Sequence, residues 1–119
     1  MNPFISKGWF HRGNAHYIMK NFEAAIVDLS KAIEMEPNDA KAIEMRGVSK
    51  FSLKDYRGAI QDYSKVITMK PSFVDQAYCN RGVAKFFLND KEGGCLDLSK
   101  AGELGFREAY DLIKKYCNN

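Results

Sequence analysis

Small, large and turn-forming residues return along this chain with a period near 34 residues. Gly13, Gly47 and Gly82 stand 34 and then 35 residues apart, each directly after an arginine: Arg12, Arg46 and Arg81. Twelve residues beyond each glycine stands a small residue, Ala25, Ala59 or Gly94. Sixteen beyond stands a large apolar or aromatic one, Leu29, Tyr63 or Leu98. Asp28-Leu29-Ser30-Lys31-Ala32, Asp62-Tyr63-Ser64-Lys65-Val66 and Asp97-Leu98-Ser99-Lys100-Ala101 are near copies. Three copies in register make internal repetition the governing feature.

Each copy reads as two antiparallel helices joined by a short turn. Lys20-Asn21, Lys54-Asp55 and Asn89-Asp90 break the pairs, with Asn21, Asp55 and Asp90 as N-caps of the second helices. Pro37-Asn38-Asp39 and Pro71-Ser72 end those helices and start the next unit. Ser72-x-x-Asp75 has the outline of a capping box with Asp in the reciprocal place. The pattern predicts helices over about 3–19, 22–35, 39–52, 56–69, 73–87, 91–103 and 106–117. A glycine inside a helix costs about 1 kcal/mol relative to alanine. Small residues facing each other across the hairpin, Gly13 against Ala25 for example, give the reason: the helix axes approach closely. Each arginine also precedes an aspartate by sixteen residues (Asp28, Asp62, Asp97), which predicts a bidentate ion pair within each hairpin.

The end of the chain departs from the repeat. Ala109, Leu112, Ile113 and Tyr116 form one apolar stripe at helical spacing, with Arg107, Asp111, Lys114 and Lys115 off it. This is the pattern of a helix that covers the last apolar face of a stack. No such cover precedes the first unit, so Phe4, Ile5, Trp9 and Phe10 leave apolar surface there and suggest self-association.

The whole pattern resembles the tetratricopeptide repeat, whose signature runs Trp, Leu-Gly, Tyr, Ala, Phe, Ala and Pro. Trp9, Gly13, Ala25, Leu29, Ala32 and Pro37 carry it in the first copy, with Leu29 in the Phe place. Gly47, Ala59, Tyr63 and Pro71 carry it in the second; Gly82, Leu98 and Ala101 carry it in the third, with Tyr78 in the Trp place. Arg12, Arg46 and Arg81 replace the usual Leu, and Gly94 and Phe106 replace Ala and Pro. The resemblance implies an all-α, right-handed solenoid of three helix-turn-helix hairpins with a seventh, capping helix. It implies one domain over 1–119, with repeats at about 6–39, 40–74 and 75–105 and the cap at 106–117. It also implies a non-enzymatic protein-interaction module that takes a peptide or protein segment in a concave groove lined by the first helix of each hairpin. The competing reading is a structural module that oligomerises, for example as a homodimer through the first repeat, or docks into a larger assembly.

If each glycine faces its hairpin partner, helical geometry says which side chains reach the groove. The candidates are Lys7, Phe10, His11, Asn14 and Tyr17 from the first unit, with Ile18 beside them. The second unit gives Lys41, Met45, Val48 and Phe51, with Glu44 and Ser52. The third gives Gln76, Asn80, Val83 and Phe86, with Cys79 and Phe87. Aromatic anchors and adaptable amides suit a peptide groove. Chaperone-binding relatives in this family hold a C-terminal carboxylate with two lysines, two asparagines and an arginine. Of those five places only Asn14 matches; Phe10, Met45, Gln76 and Asn80 fill the others, so the resemblance argues against that clamp.

Composition changes this picture little. Net charge is +3, from 18 Lys+Arg and 15 Asp+Glu, with no basic stripe, which excludes a nucleic-acid surface. No apolar run approaches the roughly 20 residues of a membrane span, and no signal peptide opens the chain, so the expected location is cytoplasmic. Cys79, Cys95 and Cys117 fit neither a disulfide framework nor a zinc site and read as reduced thiols. His11 and His16, five apart, miss the spacing of a helical metal pair. No catalytic motif, metal site or cofactor site is expected.

Overall fold

In the computed structural model, which describes residues 3–118 and side chains from Ile5 onward, seven helices follow one another: α1 (Pro3–Ile18), α2 (Phe22–Met35), α3 (Ala40–Ser52), α4 (Tyr56–Met69), α5 (Val74–Phe87), α6 (Lys91–Glu103) and α7 (Glu108–Tyr116). They pair as α1·α2, α3·α4 and α5·α6, each pair stacks on the next, and α7 covers α6. The array measures 50 × 25 × 19 Å. The expected helices are present, with ends shifted by a residue or two.

The turns inside the hairpins share one joint. At the end of α3, Asp55 N–H donates to Lys50 C=O at 2.8 Å and Lys54 N–H to Phe51 C=O at 2.9 Å. Asn21 and Lys20 repeat this after α1, and Asp90 and Asn89 repeat it after α5. In each case the residue with left-handed backbone is not glycine: Lys20, Lys54 and Asn89 have φ of 62°, 67° and 64°. These paired bonds satisfy the orphan carbonyls of the first helix. The next residue then starts the second helix, so one dipeptide closes one helix and opens another.

Capping follows expectation at two of those joints. Asp55 accepts from Gly58 N–H at 3.0 Å and Asp90 from Gly93 N–H at 2.8 Å. Asp39 does the same for Ala42 N–H at 3.1 Å, opening α3. Asn21 occupies the N-cap position of α2 without a side-chain bond. The capping box at Ser72 is not formed. The structure starts α5 one residue later, at Val74, with Phe73 as an N-cap that makes no side-chain bond.

Core residues come from both helices of each hairpin. Leu29, Tyr63 and Leu98 are buried, as are Ala25, Ala59 and Ala101. The glycines do more than face small partners. A Cβ on Gly13 would meet Leu29 Cγ at 2.9 Å and one on Gly47 would meet Tyr63 Cε1 at 2.8 Å, so these two make room for the large residue. In the third hairpin small residues meet directly: a Cβ on Gly82 would lie 2.9 Å from Gly94 C=O, and the reverse distance is the same.

The predicted ion pairs form in all three hairpins. Arg12 grips Asp28 at 2.7 and 2.9 Å, Arg46 grips Asp62 at 2.9 and 2.8 Å, and Arg81 grips Asp97 at 2.8 and 2.8 Å. Lys50 adds a contact to Asp62 at 3.2 Å and Lys85 one to Asp97 at 3.0 Å. Stacking changes their setting. Arg46 Nη1 also reaches back to Ser30 Oγ at 3.3 Å, and Arg81 Nη1 to Ser64 Oγ at 3.2 Å, in the preceding hairpin. Arg12, in the first described hairpin, makes no such bond; its side chain is 62% exposed against 22% and 20% for Arg46 and Arg81.

One expectation fails outright. Cys95 and Cys117 form a disulfide, with Cα atoms 5.9 Å apart. Only Cys79 is a free thiol; it is buried, and that burial pushes it up to about 11. The spacing alone hid the pair, because the turn between α6 and α7 brings two distant positions together.

Candidate functional site

Adjacent odd-numbered helices touch one another, α1 to α3 and α3 to α5, which puts the inner curve of the stack on their side. The predicted groove residues all belong to these helices. Lys7, His11, Lys41 and Gln76 are exposed; Phe10, Asn14, Tyr17, Val48, Phe51, Asn80, Val83 and Phe86 are half-buried. Two pockets gather some of them. Lys7, Phe10 and His11 line a mixed pocket of about 310 Å³ with Ser6, Glu36 and Asp39, near the turn into α3. Val83 and Phe86 line an apolar pocket of about 350 Å³ at the other end, with Phe87, Leu98, Leu112 and Tyr116.

Between the pockets the aromatic residues are engaged with each other. Phe51 meets Tyr56 and Phe87 edge-on at 5.2 and 5.3 Å, and Tyr56 stacks on Phe87 at 4.8 Å. Tyr17 meets Phe22 edge-on at 6.1 Å. Lys41 Nζ lies over the Phe73 ring at 5.4 Å. Phe51 and Val48 pack against the buried Ala59, Tyr63 and Ala84, so they belong as much to the inter-hairpin core as to the groove.

Met45 does not offer its side chain to the groove. It is 7% exposed and packs with Ala25, Leu29 and Ala42. Two residues before the glycine, the side chain points at the preceding hairpin, and the stack covers it. In the third hairpin that position is Asn80, which also reaches back: its Nδ2 donates to Glu44 Oε2 at 2.8 Å. The seam between α1 and α3, where Phe10 packs against the cluster holding Met45, is therefore apolar. The seam between α3 and α5 holds this polar pair beside apolar contacts such as Phe51 to Phe87.

Glu44 is the chemical oddity of this face. It is 4% exposed, and its Oε1 is buried with no hydrogen-bond partner. Burial pushes its carboxyl up to about 7 from 4.5, and nearby Asp62 adds to the rise; the Asn80 hydrogen bond and Lys41 pull the other way without cancelling it. Periodicity placed Glu44 on the groove side but gave no sign that α5 would close over it.

At the N-terminal end, Ile5 is 48% exposed and the Arg12 guanidinium lies over the Trp9 ring at 4.9 Å. Of the other two residues of the expected self-association surface, Phe10 is half-buried and Phe4 lies outside the described side chains. His16 Nε2 stands 3.6 Å from Asp28 Oδ2. Among the described residues no three His, Cys, Asp or Glu side chains are placed to hold a metal ion, and no helix is long and apolar enough to cross a membrane.

Antiparallel helical hairpins stacked in register, with an inner row of first helices and a terminal cover, define a helical-repeat protein of the solenoid type. Family models for the tetratricopeptide repeat match residues 6–39 and 40–73, and the chain belongs to that family. Among solved structures it is similar to the first TPR of Spaghetti (RPAP3) bound to an HSP90 peptide, with TM-score 0.88 and 23% identity over 98% of this chain and 93% of that one. It is similar to the Arabidopsis OM64 TPR domain, with TM-score 0.84 and 23% identity over 93% and 95%. The N-terminal domain of stress-induced protein-1 from C. elegans gives TM-score 0.84 and 21% identity over 93% of each chain. At these identities the likeness is one of fold. No curated protein sequence matches the chain significantly.

Proposed function

We propose that this protein is a peptide-binding interaction module that takes an extended segment across α1, α3 and α5 and anchors an apolar side chain at the α5–α7 end. The apolar pocket formed by Val83, Phe86, Phe87, Leu98, Leu112 and Tyr116 carries this reading. It opens beside the inner face, and its volume suits one or two large side chains. Asn14 and Gln76 stand along the same face, with amides suited to a peptide backbone. Several similar structures hold chaperone peptides, which supports a peptide as the class of ligand.

The variant that tests this is Phe87→Ala. Phe87 is 56% exposed and lines the pocket, so its loss spares the buried core. Partner capture from a peptide display library falls at least about tenfold, the scale of one interface anchor, while the melting temperature moves little. Equal capture by both proteins sinks the reading. Met45→Glu is no test of the groove, because it drives a charge into the core.

Acidic chaperone tails are not the expected ligand. Phe10, Gln76 and Asn80 supply none of the cations that hold a terminal carboxylate, and Met45 is covered. Titration with the peptide SRMEEVD gives no saturable binding at concentrations of about 100 μM. A dissociation constant below about 10 μM, lost on Asn14→Ala, would overturn this.

A further inference from the structure

The last helix joins the stack through one apolar cluster, with Ala109, Leu112 and Ile113 against Leu98 and Ala101, and through a sulfur–sulfur bond. α7 has nine residues, too few to persist alone in water. Only Ala109 is buried; Leu112 and Ile113 are half-buried and the other six are exposed. Its partner is α6, to which Cys117 is tied through Cys95. The bond closes a segment of 22 residues that contains the whole α6–α7 turn.

The same helix builds one wall of the apolar pocket. Leu112 and Tyr116 face Val83, Phe86 and Phe87 across it, and the rings of Phe86 and Tyr116 lie 5.5 Å apart. Tyr116 is 42% exposed and immediately precedes Cys117. Fixing the Cys117 sulfur against α6 therefore fixes where the Tyr116 ring sits.

We propose that Cys95–Cys117 is a reversible redox latch that seats α7 and thereby forms the apolar pocket; its role in regulating recognition rests on the peptide-binding reading above. Cys95 and Cys117 are half-buried where Cys79 is buried, so the pair is the more open to an attacking thiolate. The chemistry is thiol–disulfide exchange. A dithiol reductant attacks one sulfur as a thiolate, forms a mixed disulfide and expels the other cysteine as a thiolate. Its second thiol then resolves the mixed disulfide. Two electrons pass to the protein sulfurs, the two protons of the dithiol end on Cys95 and Cys117, and the reductant leaves as its own disulfide. Glutathione disulfide reverses the reaction. Cys79 stays out of the exchange, because its thiol is buried beneath α6 and α7 and remains protonated.

The latch is tested on the full chain without any ligand, so its failure is separate from failure of the binding reading. After treatment with glutathione disulfide, the native protein presents no rapidly reacting thiol to a chromogenic disulfide reagent. After dithiothreitol and desalting under argon, it presents two. Amide hydrogen exchange of α7 rises about tenfold or more on reduction, while that of α1 to α4 is unchanged. Methyl resonances of Val83, Leu98 and Leu112 shift at the same time. Cys117→Ser shows the reduced hydrogen-exchange and methyl pattern in both samples, with one fast thiol after dithiothreitol, and Cys95→Ser agrees. Two fast thiols in the oxidised sample, or α7 exchange and pocket methyls that ignore the reductant, overturn the proposal.

Discussion

Asp62→Ala lowers the stability of this protein by about 3 kcal/mol, the scale for removing one partner of a buried ion pair. Asp62 is 4% exposed and holds two cations, Arg46 and Lys50. Removing the carboxylate leaves both at a hairpin interface where water reaches them poorly. For a chain of this size the melting temperature falls by about 10 °C. The same substitution at Asp28 costs less than half as much. Arg12 guanidinium, the main group holding the Asp28 carboxyl below its usual range, is freely solvated and loses little when released. Thermal melts followed by circular dichroism decide the matter. Equal losses at Asp28 and Asp62 would show that stacking adds nothing to the pair.

Stability falls as pH rises from about 4.5 to about 7 through Glu44, by about 3 kcal/mol for a shift of this size. The sign follows from where the proton sits. In the folded chain the carboxyl keeps its proton up to about 7, because ionising it would leave a buried charge near Tyr63 and Asp62 with only Asn80 and Lys41 to answer it. The unfolded chain releases that proton near 4.5. Between those values the folded state holds more protons, so stability is fully present below the lower one and lost by the upper. Glu44→Gln keeps an oxygen for Asn80 and has nothing to ionise. Its denaturation free energy, measured across the same pH range, lacks this part of the slope and exceeds that of the parent at pH 8. A slope common to both proteins would exclude Glu44 as its source.

Sequence made the repeat visible because its physics is local to each hairpin. Arginine, glycine, the large residue at sixteen and the capping aspartates all act within one unit, so their spacing reports their contacts. The Arg–Asp pairs are the clearest case: register alone named all six partners. What lay hidden depends on how units meet. Met45 and Asn80 share a register position and both point back at the preceding hairpin, yet one packs into an apolar cluster and the other holds a buried carboxyl. Helical periodicity sees a face of a helix and not what the next hairpin lays over it. Leu112 and Tyr116 read correctly as a covering stripe, but a stripe does not reveal that it leaves a pocket against α5. Cys95 and Cys117 required the angle of the last turn, which no spacing encodes.

The backward reach of Arg46 to Ser30 and of Arg81 to Ser64 gives the array a direction. Each arginine fastens its own hairpin and the one before it, like a rivet through two plates. The leading hairpin is fastened only from behind, and the trailing end is sewn shut by sulfur. Under oxidising conditions these ties secure the first described hairpin least and the pocket between α5 and α7 most.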